Sequence, residues 1–237
     1  MKEKIIVALD VESAREAREY IDELREFAGA FKIGLQLFTS AGPDFVRKIV
    51  ESGVKIFLDL KFHDIPNTVA KASVEAARLG VWMFNIHALG GGEMMRRTIG
   101  EVAEVSEREN IRRPKVIGVT VLTSAAQETL SEVGIDREIN SEVLNLARLT
   151  AKCGLDGVVI SPKEIRDVRQ NIDEEDFLIV TPGIRPLSAT NDDQKRVTTP
   201  AAAVGSGADY LVIGRPILTA KDRIAAIEGI RNELENK

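Results

Sequence analysis

One short stretch of the sequence places two acids and a base within six residues of one another. Asp59, Lys61 and Asp64 follow an apolar run that begins near Lys55 and has the character of a buried strand. Because strand side chains alternate between faces, Asp59 and Lys61 point the same way. Charges in a buried segment are costly unless they are paired or used, so this stretch is a candidate active site. An Asp-x-Lys pattern taken alone favours a structural ion pair at a strand end.

The segments around this stretch alternate between short apolar runs and amphipathic runs along the whole chain. Eight runs rich in Ile, Val, Leu and Phe recur about every 30 residues, roughly the length of one strand-helix unit. This count and order favour an α/β fold of the (β/α)8 TIM barrel type over an open doubly wound sheet. No linker interrupts the pattern, so residues 1–237 are predicted to form a single domain. The predicted strands are 5–9, 31–34, the run from 55, 83–88, 116–122, 158–160, 177–180 and 210–213.

Helix boundaries follow from capping residues and from the helix breakers Gly and Pro. Ser13 is a favourable N-cap and predicts a helix that reaches about Phe27. A second helix is expected to begin after Gly42-Pro43, and Pro66 is well placed to start a third. Further helices are expected after Gly90-Gly91-Gly92, over 141–153 and 200–205, and from about residue 219 to the end.

The composition indicates a cytoplasmic protein with no membrane or nucleic-acid partner. A net charge of -5 disfavours binding to nucleic acid, which requires a clustered basic surface. No apolar run approaches the roughly 20 residues that span a bilayer, and no signal peptide is apparent. The single cysteine, Cys153, allows no internal disulfide and reads as a small buried side chain at a helix end.

In a barrel of this type the active site lies at the C-terminal ends of the strands. Most of the predicted strands end in a group that can carry charge or form a hydrogen bond. Each such residue alone is weak support, but several lysines, aspartates and arginines at the same end of the barrel favour a functional site. The strand-end residues are Asp10, Lys32, Asp59, Lys61, His87, the segment 120–123, Ser161, the segment 181–185, Gly214 and Arg215.

The loops after strands 7 and 8 are the usual phosphate site of this architecture. Here they contain Gly183-Ile184-Arg185 and Gly214-Arg215, which combine close backbone approach with a guanidinium that matches phosphate oxygens. A long polar loop between them, residues 187–199, contains Gln194 and has the length of a lid. The alternative is an ordinary loop in which Arg215 pairs with a surface carboxylate.

The sequence contains no motif for a metal or an organic cofactor. Its two histidines, His63 and His87, lack the His or Cys partners of a zinc or iron site and are better read as structural. Neither a dinucleotide-binding glycine turn nor a Walker loop is present. The chemistry therefore falls to Lys and Asp side chains, which can place a proton and stabilise a carbanion but cannot transfer a hydride.

The run from Asp59 to Thr68 closely resembles the signature of the orotidine 5'-monophosphate decarboxylase family. Four further segments stand in the order in which that family has its other site residues, so the resemblance covers essentially the whole chain. It implies a barrel enzyme that converts orotidine 5'-monophosphate to UMP and CO2 without metal or organic cofactor. The four segments are 7–10, 31–34, 181–185 and 213–216.

The resemblance also implies a role for each matching residue. Lys61 would protonate C6 of the pyrimidine, Asp59 would lie against the substrate carboxylate, and Lys32 would bridge the ribose and the charged residues. Asp10 would bind the ribose or the edge of the base, and Thr123 would contact the pyrimidine.

Other residues carried over from the family bind the phosphate or cross a subunit interface. The phosphate ligands would be Arg185, Gln194, Gly214 and Arg215. Asp64 and Thr68 would reach into the site of the neighbouring subunit, which implies a homodimer with two shared sites.

Two alternatives remain open at the level of sequence. A keto-gulonate phosphate decarboxylase or hexulose phosphate synthase shares an Asp-x-Lys-x-x-Asp core but uses Mg²⁺; the segment from His63 to Thr68 and Gln194 favour the nucleotide enzyme. A non-catalytic barrel that only binds a phosphate ligand is the alternative from a different class.

Overall fold

Eight parallel strands close into a barrel in which each strand pairs with its neighbours in chain order and β8 pairs with β1. The computed structural model describes residues 1–186 and 198–235. Helices lie between successive strands, so the predicted (β/α)8 TIM barrel is confirmed. The strands are β1 Ile5–Ala8, β2 Ala30–Gly34, β3 Ile56–Phe62, β4 Met83–His87, β5 Lys115–Val119, β6 Gly157–Val159, β7 Leu178–Pro182 and β8 Tyr210–Ile213.

Ten α-helices and two short 3-10 helices occur in the described part of the chain. The α-helices are α1 Ala14–Leu24, α2 Leu35–Glu51, α3 Pro66–Arg78, α4 Gly91–Arg108, α5 Gln127–Glu132, α6 Ile139–Lys152, α7 Ile165–Asn171, α8 Pro200–Ser206, α9 Arg215–Leu218 and α10 Arg223–Glu235. The 3-10 helices are Lys2–Lys4 and Ala88–Gly90.

The strands are apolar along most of their length because both of their faces are buried. One face packs inside the barrel and the other packs against the helices, which gives two hydrophobic clusters. The inner cluster surrounds Phe57 and Met83, and the larger outer cluster includes Phe31 and Phe84. The helices therefore pack against the outside of the barrel, and polar residues lie at the C-terminal ends of several strands.

Capping residues set two of the helix starts as the sequence predicts. The Ser13 hydroxyl accepts a hydrogen bond from the Glu16 amide at 3.2 Å, and α3 begins at Pro66. The second helix differs from the prediction because it begins at Leu35, well before Pro43. Gly42 has a φ of 72°, so the backbone leaves the helical conformation there, between the predicted segment after Pro43 and a first segment, from Leu35, that was not predicted.

The helices near the C-terminal half differ from the prediction in two further places. The connection after β5 contains α5, and α6 begins at Ile139, where the Glu138 carboxylate accepts a hydrogen bond from the Ser141 amide at 3.0 Å. The predicted final helix is two helices, α9 and α10.

Aromatic side chains pack at the N-terminal end of the barrel. Trp82 and Tyr210 meet edge to face with ring centroids 5.1 Å apart, and the Lys55 ammonium lies 5.9 Å from the Trp82 ring. These residues stand where β3, β4 and β8 begin, so they mark the end of the barrel opposite to the polar strand ends.

A pair of Gly→Ala substitutions tests the packing of the barrel. In Gly157→Ala the new Cβ would overlap the Leu178 carbonyl oxygen and lie 2.7 Å from the Leu178 Cβ. We expect a loss of about 2–3 kcal/mol in the free energy of unfolding, because the strand backbones of β6 and β7 must separate. In the control Gly100→Ala, no neighbouring atom lies within 4 Å. The Gly100→Ala substitution inside α4 should raise the free energy of unfolding by about 0.5–1 kcal/mol. Urea unfolding followed by circular dichroism measures the free energy of unfolding of both variants. A change of the same sign in the two variants would contradict the barrel packing.

Candidate active site

Four charged side chains alternate in sign across the C-terminal ends of β1, β2 and β3. The Lys32 ammonium lies 3.1 Å from Asp10 Oδ1 and 3.3 Å from Asp59 Oδ2. The Lys61 ammonium lies 2.7 Å from Asp59 Oδ1. The structure therefore brings together Asp10, Lys32, Asp59 and Lys61, which we call the charged array. Asp59 stands at its centre, between the two lysines.

The backbone of β3 is irregular at the point where it presents Lys61. Lys61 has a φ of 52°, and the pairing of β3 with β4 shifts register between Leu58 and Phe62. A lysine in the left-handed region is uncommon and is strained unless its surroundings hold it. The side-chain oxygen Oδ1 of Asn85 accepts a hydrogen bond from the Lys61 backbone N-H at 2.8 Å. Asn85 was not predicted as a site residue, although a polar side chain inside the apolar run of β4 was a visible signal.

Burial and positive charge act in opposite directions on Asp59. Its side chain is 13% exposed, and burial alone would raise the pKa of its carboxyl group. Lys32, Lys61 and the hydrogen bonds from Lys61 and Asn85 outweigh that effect and hold the pKa of Asp59 below its ordinary value. Asp59 is thus an anion at neutral pH and fixes the Lys61 ammonium beside it.

Substituting Asp59 tests this balance through the pH dependence of stability. A carboxyl group whose pKa is lowered by folding stabilises the folded state above its unfolded pKa, near 4, and loses that contribution as the pH falls through the folded pKa. We expect Asp59→Asn to be about 1–3 kcal/mol less stable than the wild type at pH 7. The difference should shrink below about pH 4.

Urea unfolding at pH 7 and pH 3 makes this measurement, with Asp44→Asn as the control. Asp44 pairs with Arg47 at an exposed surface, where an ion pair contributes at most about 1 kcal/mol. A stability difference for Asp59→Asn that is the same at both pH values would contradict a lowered pKa for Asp59.

Two cavities flank the charged array. The first has a volume of about 180 Å³ and is bounded by Lys32, Asp59 and Lys61 on one side and by mainly apolar side chains on the other. Its remaining lining residues are Phe57, Val119, Val121, Leu122, Thr123, Val159, Pro182 and Val212. The second cavity, also about 180 Å³, lies toward α2 and includes Asp10, Lys32, Gly34 and Gln36. An apolar chamber beside a polar one suits a flat ring attached to a hydroxylated group.

The loops after β7 and β8 contain the predicted phosphate residues. Gly183 has a φ of 77°, and the buried Arg185 donates its backbone N-H to the Thr198 carbonyl oxygen at 3.1 Å. Gly214 lies against the end of β1, where an added Cβ would stand 3.3 Å from the Ala8 Cβ and 3.5 Å from Asp10 Oδ2. Both loops are thus at the same end of the barrel as the charged array. Arg215 is the first residue of α9, and Gln194 lies outside the described residues, as does most of the predicted lid at 187–199.

Asp64 and Thr68 are not part of the charged array within one chain. Both are exposed, and the Asp64 carboxylate accepts a hydrogen bond from the Ile65 amide at 2.6 Å. Within residues 1–186 and 198–235, Asp64 has no ion-pair partner. Ile65 beside it is 66% exposed, which is unusual for an isoleucine. This segment is therefore exposed at the end of the barrel that holds the charged array.

The two histidines pack against each other rather than forming a cluster. The rings of His63 and His87 have centroids 5.3 Å apart. Burial and the nearby His63 and Lys61 lower the pKa of His87. Among the described residues, no group of three or more His, Cys, Asp or Glu side chains could hold a metal ion. None of the described helices is both long and apolar enough to cross a membrane.

The sequence profile of the Orotidine 5'-phosphate decarboxylase / HUMPS family matches residues 3–230. The chain belongs to this family. The matched range includes β3 and the loops after β7 and β8. Orotidine 5'-phosphate decarboxylases and HUMPS proteins are therefore the proteins with which the charged array is to be compared.

Several named members of the family are similar to this chain over nearly its whole length. The chain is 53% identical to the orotidine 5'-phosphate decarboxylase of Geobacter sulfurreducens, with 98% of this chain and 96% of the relative covered. It is 51% identical to that of Moorella thermoacetica, covering 99% and 93%. A crystal structure of the decarboxylase from Lactobacillus acidophilus superposes with a TM-score of 0.86 at 37% identity and covers 97% of this chain and 98% of that one.

Proposed function

We propose that the chain decarboxylates orotidine 5'-monophosphate to UMP and CO2, the last step of de novo UMP synthesis. The observation that carries this function is the charged array, in which the Lys61 ammonium lies 2.7 Å from Asp59 at the wall of an apolar cavity. The identity of the substrate is inferred from the family and from its named decarboxylases, which are more than 50% identical to this chain over nearly its whole length. Residues 1–237 are taken as one catalytic domain that acts in the cytoplasm.

The reaction breaks the bond between C6 of the pyrimidine and its carboxylate. The electron pair of that bond stays on C6, and CO2 leaves as a neutral molecule. Lys61 then donates a proton from its ammonium to C6, forming UMP, and recovers a proton from solvent. An ammonium fixed beside C6 stabilises the developing negative charge without reorganisation at the moment of reaction.

The charges of the array explain why the reaction centre is set between Asp59 and Lys61. The two aspartates and two lysines of the array balance one another, so the empty array is neutral. The substrate adds one negative charge on its carboxylate, which lies against Asp59. Loss of CO2 moves this charge from the side of Asp59 to C6, beside Lys61. The charge thus moves from a repulsive neighbour to an attractive one, which favours the transition state over the bound substrate.

The two cavities bind different parts of the nucleotide: one binds the base and the other binds the sugar. The apolar chamber takes the pyrimidine ring, with Thr123 in contact with its edge. The polar cavity takes the ribose, whose hydroxyl groups bind Asp10 and Lys32. The 5'-phosphate binds Arg185, Gly214 and Arg215, with Gln194 from the loop between β7 and α8. Phosphate binding at a distance from C6 contributes to catalysis by holding the ring in place.

The functional unit is proposed to be a homodimer with sites shared between subunits. Asp64 and Thr68 are exposed in the single chain, at the same end of the barrel as the array. Large apolar side chains are exposed after the neighbouring strands, which favours a protein partner at this face. A second copy covering it would bring Asp64 and Thr68 to the neighbouring array. The exposed apolar residues that follow the strands at this face are Leu35, Ile65, Leu89 and Leu122.

A spectrophotometric assay tests the proposed function. Purified protein is mixed with orotidine 5'-monophosphate, and the loss of substrate absorbance is followed with and without EDTA. We expect turnover at the same rate in both conditions. Turnover that EDTA abolishes would favour the Mg²⁺-using relatives of the barrel, and tight nucleotide binding without turnover would favour a non-catalytic phosphate-binding barrel.

A further inference from the structure

We propose that Asn85 is a positioning residue that sets the geometry of Asp59 and Lys61 through a single amide. Its side chain lies on β4, is 1% exposed, and contacts both residues at once. The Asn85 Nδ2 group donates to Asp59 Oδ1 at 2.7 Å, and its Oδ1 atom accepts from the Lys61 backbone N-H at 2.8 Å. This role rests on the proposed decarboxylation.

The hydrogen bond to the Lys61 backbone compensates for the irregularity of β3. At the register shift of β3 against β4, the Lys61 backbone has a φ of 52°. An N-H shielded from water without an acceptor is costly, and the Asn85 side chain supplies the acceptor for the partly buried Lys61 N-H. Asn85 therefore stabilises the backbone conformation from which the Lys61 side chain reaches Asp59.

The hydrogen bond to Asp59 fixes which oxygen of the carboxylate faces which lysine. Asp59 Oδ1 accepts from both Asn85 and Lys61 at 2.7 Å, while Oδ2 faces Lys32 at 3.3 Å. With Asn85 in place the carboxylate cannot rotate without losing a hydrogen bond. The amide does this without adding a charge, so the array keeps its balance of two positive and two negative groups.

Only an amide satisfies both contacts at this site. An aspartate has the same shape and still accepts from the Lys61 amide, but it turns an acceptor toward Asp59 Oδ1 and adds a negative charge. An alanine removes both contacts and leaves the partly buried Lys61 N-H without this acceptor. The two substitutions therefore separate the donor function of Asn85 from its acceptor function.

The test compares Asn85→Asp and Asn85→Ala with the wild type over a range of pH. In Asn85→Asp we expect kcat to fall about 100-fold or more, with KM changed by less than about threefold, because the reacting groups are displaced while the phosphate site is intact. The acidic limb of the kcat profile should move to higher pH, since a second carboxylate beside Asp59 favours its protonation. In Asn85→Ala the fall should be about 10- to 100-fold, with a smaller move in the same direction.

A matched control is Thr98→Val in α4. Thr98 is fully buried, and its hydroxyl has no hydrogen-bond partner within the parts of the chain that the structure describes. It should retain the wild-type kcat and pH profile. If folded Asn85→Asp keeps kcat within about twofold of the wild type, or if kcat falls while the acidic limb stays in place, Asn85 is not a positioning residue.

A measurement that does not depend on turnover separates this inference from the proposed function. The difference in the pH dependence of urea unfolding between Asn85→Asp and the wild type reports the change in titration at Asp59 and the introduced carboxyl group, without substrate. In Asn85→Asp we expect stability to be lost at a higher pH than in the wild type, with no such move in Thr98→Val. An inactive wild type would overturn the decarboxylation alone, whereas an unmoved stability profile in Asn85→Asp would overturn the role of Asn85.

Discussion

Replacing Lys61 by alanine is expected to lower kcat by about 10⁴-fold or more, because one ammonium both donates the proton and stabilises the carbanion. Its amine stands 2.7 Å from Asp59 at the cavity wall, and within residues 1–186 and 198–235 no other lysine pairs with Oδ1 of that carboxylate. Binding of UMP should change by less than about tenfold, since the phosphate and ribose contacts remain. Steady-state assays and titration with UMP measure both quantities.

Lys55→Ala is the matched control for this substitution. Lys55 precedes β3 at the opposite end of the barrel, where its ammonium lies 3.2 Å from Glu3 and near the Trp82 ring. The Lys55→Ala substitution removes the same charge from the chain without changing the charged array, so we expect kcat to stay at the wild-type value. A Lys61→Ala enzyme that retained more than about one per cent of wild-type kcat would rule out Lys61 as the proton donor.

Mixing two inactive homodimers is expected to restore activity if Asp64 serves the neighbouring subunit. Lys61→Ala and Asp64→Ala should each lose most of their activity as homodimers. In a heterodimer of the two, one shared site carries both substitutions and the other carries neither. Because exchange of equal amounts makes half of the dimers mixed, we expect about a quarter of the wild-type activity per subunit.

The design of the mixing experiment separates the two possible positions of Asp64. Subunits are exchanged in mild denaturant, returned to buffer and assayed, with each variant carried alone through the same steps. If Asp64 acted within its own chain, the mixture would contain no intact site and would stay as inactive as its components. A second control, Lys61→Ala mixed with Asp59→Asn, removes two groups of the same array and should restore nothing, because both shared sites then carry a substitution.

The strands of the fold were predictable from the sequence because their apolar runs recur at a regular spacing of about 30 residues. All eight predicted strands exist, and the charged residues at the ends of the first three lie together at one end of the barrel. Helix boundaries were less predictable where tertiary contacts decide them. Gly42 and Pro43 read as a helix start, yet a helical segment also precedes them, from Leu35. The short α5 has too few residues for a periodic pattern and was missed.

The charged array was predictable because its residues carry charge at strand ends. Asp10, Lys32, Asp59 and Lys61 meet as expected, because parallel strands bring their C-terminal ends to one edge of the barrel. Asn85 was not predicted, because it precedes its strand end by two residues and its contacts depend on the register shift of β3. Which residues cross to a neighbouring subunit cannot be read from a strand pattern, and that expectation came from the family resemblance alone.

Trp82, edge to face with Tyr210 where β4 and β8 begin, is the only tryptophan of the chain. Its indole is separated from the charged array by the length of the barrel. The fluorescence of Trp82 should therefore change when the barrel unfolds. It should remain nearly unaffected by nucleotide bound at the other end of the barrel. The chain thus contains its own optical reporter, with which the folding of every variant can be followed while the site is occupied.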